Sequence, residues 1–218
     1  MLLPEFEKHE NQNRAVYREV AQRLMAKHLG FKASGIQVKM TNGHVSGVSN
    51  YFLETSNGLV SPALVHDYLT KRIMVLCAGV WGEVHWLHLL LGDDMKNDHV
   101  TALYDNGVLD GSLLTNRAKI LELSTILTGM QHEPADSYKE MDDQSHSLFA
   151  ENYQRTVDYL KEHQDMFNCL AGLVLERPRS QDGMSVSDEV LNNLEEIAIE
   201  RTAIEMADKG VEDGFTKS

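Results

Sequence analysis

The side chains best suited to chemistry are concentrated between residues 72 and 99, and they are Glu83, His85, His88, Asp93, Asp94 and Asp98. On a helix, His85 and His88 would share a face, and imidazole with carboxylate is a suitable ligand set for zinc, iron or manganese. Their spacing, however, matches no signature metal-binding pattern. We therefore predict that His85 packs with Trp81 and Trp86 at interior or interface positions, with a metal site at His85 and His88 as the alternative.

The same stretch is predicted to be a buried helix that another element approaches closely. Apolar residues open it, and Ala78-Gly79 then interrupts them with two small side chains. Glycine inside a helix costs about 1 kcal/mol relative to alanine, which is usually tolerated where another backbone must come near. Upstream, Ser61-Pro62 is a typical helix start, with serine as the N-cap and proline at the first helical position.

The rest of the chain is predicted to be mainly α-helical. Helical spacing covers residues 9–29, 117–128 and 146–176, and 131–145 is a polar connection. Alternating apolar residues over 36–48, with an Asn-Gly turn between them, predict one small β-hairpin.

We divide the chain into a helical domain over 1–176, a linker over 177–184 and an amphipathic C-terminal helix over 185–218. The last segment is acidic, with a net charge of −6 from nine acidic and three basic residues. Its residues recur at steps of four and three, the pattern of a seam against another helix: Val190, Leu194, Ile197, Arg201 and Ile204.

The composition indicates a cytoplasmic protein. A net charge of −13 argues against nucleic acid as a direct partner, because backbone phosphates would be repelled. The charge serves solubility, and it also favours docking on a basic protein. Cys77 and Cys169 lie in apolar runs, as reduced buried thiols do. No basic apolar leader and no uninterrupted apolar run of about 18 residues is present, so no membrane contact is predicted.

Other local patterns do not indicate catalysis. No nucleophile elbow, phosphate-binding glycine loop or paired cysteine motif occurs, so no cofactor is predicted. His9-Glu10 lacks the second histidine of a zinc helix, and His132-Glu133 is followed by proline, which disfavours a helix there.

The order of elements resembles the peptidase domain of FtsH-type zinc proteases over about residues 9–176. The first predicted helix ends in Leu29-Gly30-Phe31, similar to the end of the family's HEAGH helix. The segment AGVWGEV places Ala78, Gly79 and Glu83 on matching positions of the family's AGRAAEE helix. Gly92-Asp93-Asp94 is similar to the loop that carries the family's third zinc ligand, an aspartate. The resemblance implies a helical, zinc-peptidase-like domain.

The residues at the catalytic positions differ from those of the family. In this register Arg18 and Gln22 replace the two zinc-binding histidines, and Glu19 keeps the glutamate position, giving Arg-Glu-Val-Ala-Gln. HExxH works because two imidazoles one turn apart face one metal while the glutamate activates the bound water. Arginine cannot lose its proton to become a ligand, and glutamine is a poor zinc ligand. The resemblance therefore implies a fold that has lost its metal, in which Arg18 is expected to pair with Asp93 or Asp94.

These observations lead to three functional expectations. The leading one is a non-catalytic, peptidase-like protein that binds another protein with a basic surface, as an inhibitor or adaptor. The second is a metal-dependent hydrolase whose ligands have moved to His85, His88 and the neighbouring aspartates. The third is a structural homo-oligomer whose interface is the C-terminal helix.

Overall fold

The computed structural model describes residues 8–41, 44–53, 58–105, 107–108, 115–131 and 137–215. Its helices are α1 (Lys8–His28), α2 (Pro62–Leu91), α3 (Asn97–Asp105), α4 (Asn116–Gln131), α5 (Tyr138–Glu162), α6 (Gln164–Leu175) and α7 (Asp188–Phe215). Its strands are β1 (Phe31–Ala33), β2 (Ile36–Thr41), β3 (His44–Val48), β4 (Tyr51–Leu53) and β5 (Gly183–Val186). The predicted mainly α-helical fold is confirmed.

Helix α1 is the element around which the others pack. Its apolar side chains Val16, Val20 and Met25 have no exposed surface. The helix contacts α2, α6 and strands β1 to β3. Gly30 follows its end with a φ of 81°, the left-handed conformation that suits glycine after a helix. The helix predicted over 9–29 is therefore confirmed, and it forms the centre of the core.

Helices α1 and α2 cross at Gly82. A Cβ atom there would lie 2.5 Å from the carbonyl oxygen of Tyr17 on α1. Since real Cβ atoms do not approach backbone atoms so closely, this position needs glycine. Gly79 faces side chains instead: a Cβ atom there would lie 2.5 Å from Nε2 of Gln22 on α1 and 2.1 Å from Nδ2 of Asn116 on α4. The predicted close approach to this stretch is confirmed.

The start of α2 is also confirmed, because the Ser61 hydroxyl accepts a hydrogen bond from the Leu64 N–H at 3.3 Å. Within the described part of the chain, one helical stretch, Pro62–Asp94, has the length and mean hydropathy (1.4) of a membrane span. That measure permits charged residues in the window, so the prediction that no uninterrupted apolar run of this length occurs is a separate one, and the expected absence of membrane contact stays a prediction. However, 78% of the apolar window is buried inside the molecule, and a core helix passes the same test, so this is weak support for a membrane span.

The strands form more than the single predicted hairpin. Strands β2 and β3 pair antiparallel, with Val38 opposite Gly47, as predicted; the Asn42-Gly43 turn lies outside the described residues. Strand β5 pairs antiparallel with the other edge of β2, placing Ile36 opposite Val186. Strands β1 and β4 form a second, two-stranded sheet.

A strand crosses the boundary between the predicted linker over 177–184 and the predicted terminal helix over 185–218. Gly183–Val186 is β5, and α7 begins only at Asp188. Gly183 has a φ of 138°, and a Cβ there would lie 1.9 Å from the Val38 carbonyl oxygen. Only glycine fits this position, so Gly183, within the predicted linker, allows β5 to pair with β2.

Helix α7 packs on α6, and the first part of the predicted seam is on the packed side: Leu194 is buried and Val190 is partly buried. Its buried apolar residues are Leu191, Leu194 and Ala198. Ile197 and Ile204, which belonged to the predicted seam, are exposed. Glu195 lies on the same buried side of α7 and contacts the buried Arg23 of α1.

The long helix predicted over 146–176 is two helices, and the first begins earlier. Helix α5 starts within the predicted polar connection, where the Ser137 hydroxyl accepts a hydrogen bond from the Glu140 N–H at 3.2 Å. This Ser-x-x-Glu sequence is a capping signature that the sequence reading missed. His163 separates α5 from α6, with φ −107° and ψ 20°.

Candidate functional site

Helix α1 has a second face that is polar and also buried. None of its side chains is more than 7% exposed: Arg14, Arg18, Glu19, Gln22 and Arg23. Charged side chains are rarely buried to this extent unless they are paired. The pairs that hold them define the candidate site.

Arg18 lies at the centre of this cluster. Its Nη1 contacts Glu19 and donates to the Gly47 carbonyl oxygen at 3.1 Å. Its Nη2 donates to Oδ1 of Asn116 at 2.7 Å, and its Nε lies 3.9 Å from Oε1 of Glu83. Residues from α1, α2, α4 and β3 thus converge on one guanidinium.

Asn116 is the site residue that the sequence reading missed. It is the first residue of α4, and its Nδ2 donates to the Leu76 carbonyl oxygen at 3.0 Å. It lies beside Arg18, where Asp93 or Asp94 had been expected. Asparagine just before a predicted helix is a typical cap residue, and that was the only local signal at this position.

The structure contradicts the expected ion pair of Arg18 with Asp93 or Asp94. Both aspartates are exposed, in a short 3-10 helix that follows α2. Glu83, which does face Arg18, lies eight residues before the end of α2 at Leu91. At a rise of about 1.5 Å per residue this is about 12 Å of helix, too far for an aspartate side chain to span.

Glu83 is buried between two guanidiniums and acts as their counter-ion. Its Oε2 lies 3.8 Å from Nε of Arg14 and accepts a hydrogen bond from the Val108 N–H at 2.9 Å. Burial raises the pKa of this carboxyl group, and Arg14, Arg18 and the Val108 N–H act against that rise. Glu83 is therefore part of the polar cluster.

His85 packs as predicted, and His88 does not join it. The His85 ring stacks on Trp81 with centroids 4.8 Å apart, and its Nε2 lies 2.8 Å from Oδ1 of Asn168. His88 is exposed. Within the described ranges, no three His, Cys, Asp or Glu side chains are placed to share a metal ion. His85, His88 and the aspartates thus do not converge as a relocated metal site requires.

A cavity of about 260 Å³ lies beside Arg18, between α1, α2, α4 and the β3–β4 region. Its charged and polar wall includes Arg18, Glu19, Gln22, Tyr51, Arg72 and Lys119. Burial lowers the pKa of Lys119, and repulsion by Arg18 and Arg72 lowers it further. Three cations therefore lie near one another around a small space.

Four residues that line this cavity each have one buried polar atom without a hydrogen-bond partner. These atoms are Nε of Arg18, Oε2 of Glu19, Nε2 of Gln22 and the hydroxyl oxygen of Ser49. Oε2 of Glu19 is an acceptor, and Nε2 of Gln22 is a donor. The Tyr51 hydroxyl donates to Oε1 of Gln22 at 3.3 Å, which orients the amide. An unpaired buried polar group costs about 1–3 kcal/mol. A molecule that both donates and accepts hydrogen bonds would therefore be favoured here.

No protein-family model matches the chain, and no curated protein matches it. What the site can do therefore follows from its own residues. Guanidinium, ammonium and amide groups donate hydrogen bonds and attract anions.

Proposed function

We propose that the protein is a non-catalytic, zinc-peptidase-like protein that acts by binding another protein with a basic surface, as an inhibitor or adaptor. The supporting observation is the placement of Arg18, which is held by Glu19, Glu83 and Asn116. A guanidinium is permanently charged and cannot ligate zinc. Its partners come from three helices, so it is fixed at the position that matches a histidine in the resembled family.

The acidic surface supports the binding part of the proposal. Glu189, Glu196 and Glu200 are all exposed on α7. Spacings of seven and four residues place them on one side of the helix. Complementary charge chiefly sets the rate and specificity of association, which suits a protein that must recognise a basic patch.

The loss of catalysis is tested by measuring zinc content and peptide hydrolysis on the purified chain. We expect neither stoichiometric zinc nor turnover. Bound zinc together with turnover that is lost in Glu19→Gln would contradict the proposal.

The binding mode is tested by capturing a partner on the immobilised chain, purifying it and measuring its affinity at increasing salt. Replacing Glu189, Glu196 and Glu200 with glutamine should weaken binding and flatten its salt dependence. A matched triple variant on α5 removes the same charge at exposed positions: Asp143→Asn, Glu151→Gln and Glu162→Gln. If both variants weakened binding equally, Glu189, Glu196 and Glu200 would not form the contact with the partner.

A homo-oligomer remains the second proposal, because α7 exposes large apolar side chains. Ile199 is 57% exposed and Met206 is 65% exposed, and their spacing of seven places them on one face. Exposed apolar groups of this kind mark interfaces when they form a patch. Sedimentation equilibrium should show an oligomer that Ile199→Gln with Met206→Gln converts to a monomer; a monomeric parent protein would rule it out.

A further inference from the structure

We propose that the cavity beside Arg18 binds a small oxyanion that keeps a proton at neutral pH, of the hydrogen phosphate kind. Arg18, Arg72 and Lys119 would balance its charge, and Glu19 would accept a hydrogen bond from its protonated oxygen. This site is independent of the proposed protein-binding surface on α7.

The charges around the cavity favour an anion even though the chain as a whole is acidic. Its wall carries three cationic side chains and one carboxylate, Glu19. Arg18 is only 2% exposed, and Arg72 and Lys119 are half-buried. Electrostatic attraction is much less screened at such positions than on the open surface. The local field therefore attracts an anion that the net charge of −13 would repel elsewhere.

The unpaired polar atoms favour an anion with a hydroxyl group. Gln22 is 4% exposed, and its Nε2 has no acceptor; an anionic oxygen would provide one. Glu19 is fully buried, with one oxygen bound to Arg18 and Oε2 unpaired. An ionised carboxylate accepts hydrogen bonds and donates none. It would therefore repel a fully deprotonated anion and bind one that still carries a proton.

The space is sufficient for such a ligand. One water molecule needs about 10–15 Å³ of cavity volume, and this cavity offers about 260 Å³. Gly47 contributes to its shape, because a Cβ atom there would lie 2.9 Å from Nη1 of Arg18. The strand backbone can thus approach the guanidinium without closing the cavity.

Isothermal titration calorimetry of the full chain with inorganic phosphate and with sulfate tests the proposal. Phosphate retains a proton at about pH 7 and sulfate does not. We expect saturable one-to-one binding of phosphate, and binding of sulfate weaker by about tenfold, the effect of one hydrogen bond to a charged group. Absence of phosphate binding up to about 10 mM, or equal affinity for both anions, would overturn the proposal.

Substitutions of Lys119 and Glu19 test whether these two residues contact the bound anion. Lys119→Met should weaken phosphate binding about tenfold, whereas Lys161→Met removes an exposed lysine of α5 outside the cavity and should leave affinity unchanged. Glu19→Gln should bring sulfate affinity up to that of phosphate, with circular dichroism as the check on folding. Equal losses in the two lysine variants, or unchanged discrimination in a folded Glu19→Gln protein, would contradict the assignment. If Glu19→Gln does not fold, the ratio of the phosphate and sulfate affinities of the parent protein still tests the proposal.

Discussion

Arg18 pairs with two buried carboxylates from different helices, Glu19 on α1 and Glu83 on α2. Breaking a buried pair by removing one partner leaves a charge without compensation and typically costs about 3–5 kcal/mol. Arg18→Ala should therefore lower the free energy of unfolding by that amount in urea denaturation. Arg155→Ala, at an exposed position on α5, should stay within about 0.5 kcal/mol of the parent protein. Similar effects for both would show that the Arg18 cluster contributes little to stability.

The lowered pKa of the buried His85 imidazole should make the stability of the protein depend on pH. Burial lowers the pKa of this imidazole from 6.5; the hydrogen bond with Asn168 opposes the shift and repulsion by His88 adds to it. The unfolded chain then binds a proton near pH 6.5, whereas the folded chain binds it only at lower pH. Between these values the unfolded state holds more protons, so stability is lost as pH falls below about 6.5.

Urea denaturation at about pH 7.5 and about pH 5 measures this loss. His85→Gln should lose less stability between the two pH values than the parent protein does. His44→Gln, at an exposed position on β3, should lose as much as the parent. An unchanged loss in His85→Gln would exclude this imidazole as the cause.

At the scale of elements, the crossing of α1 and α2 depends on Gly82. Alanine is favoured over glycine inside a helix by about 1 kcal/mol, but here the added Cβ would meet the Tyr17 carbonyl oxygen at 2.5 Å. Because backbone atoms cannot rotate away, the helices must separate, and we expect Gly82→Ala to destabilise the protein by about 1–3 kcal/mol.

Gly172 is the matched control for this prediction. It lies inside α6, and a Cβ there would have no other atom within 4 Å. Gly172→Ala should stabilise the protein by about 0.5–1 kcal/mol. Stabilisation by both substitutions in thermal denaturation would show that the helices can accommodate the methyl group.

The elements that the sequence predicted are those with local signals. Periodicity located α1, capping residues located the start of α2, and Ala78-Gly79 indicated the close crossing. The pairing of β5 was missed because its partner is distant, with Val186 opposite Ile36. Asn116 was missed for the same reason, since 98 residues separate it from Arg18. Contacts of this kind leave no spacing pattern in the sequence.

At the scale of the whole molecule, β5 pairs with β2, so we expect the C-terminal segment to unfold together with the rest of the protein. The fluorescence of Trp81 and Trp86 reports on the buried part of α2, whereas circular dichroism reports on all helices, including α7. We expect both signals to change at the same urea concentration, as they do in two-state unfolding. Gly183→Val should lower both midpoints together, because its side chain would collide with the Val38 carbonyl oxygen. Loss of helical signal before the tryptophan change would show that α7 unfolds separately.

The antiparallel pairing of β2 with β5 also has a consequence for protein synthesis. Strand β2 is translated before β5, so one of its edges has no partner until the segment Gly183–Val186 has been translated. At about 5–20 residues per second, that edge is uncovered for roughly 7 to 30 seconds. Unpaired strand edges are templates for aggregation, so we expect the nascent chain to need protection from aggregation, as ribosome-associated chaperones provide, until β5 emerges.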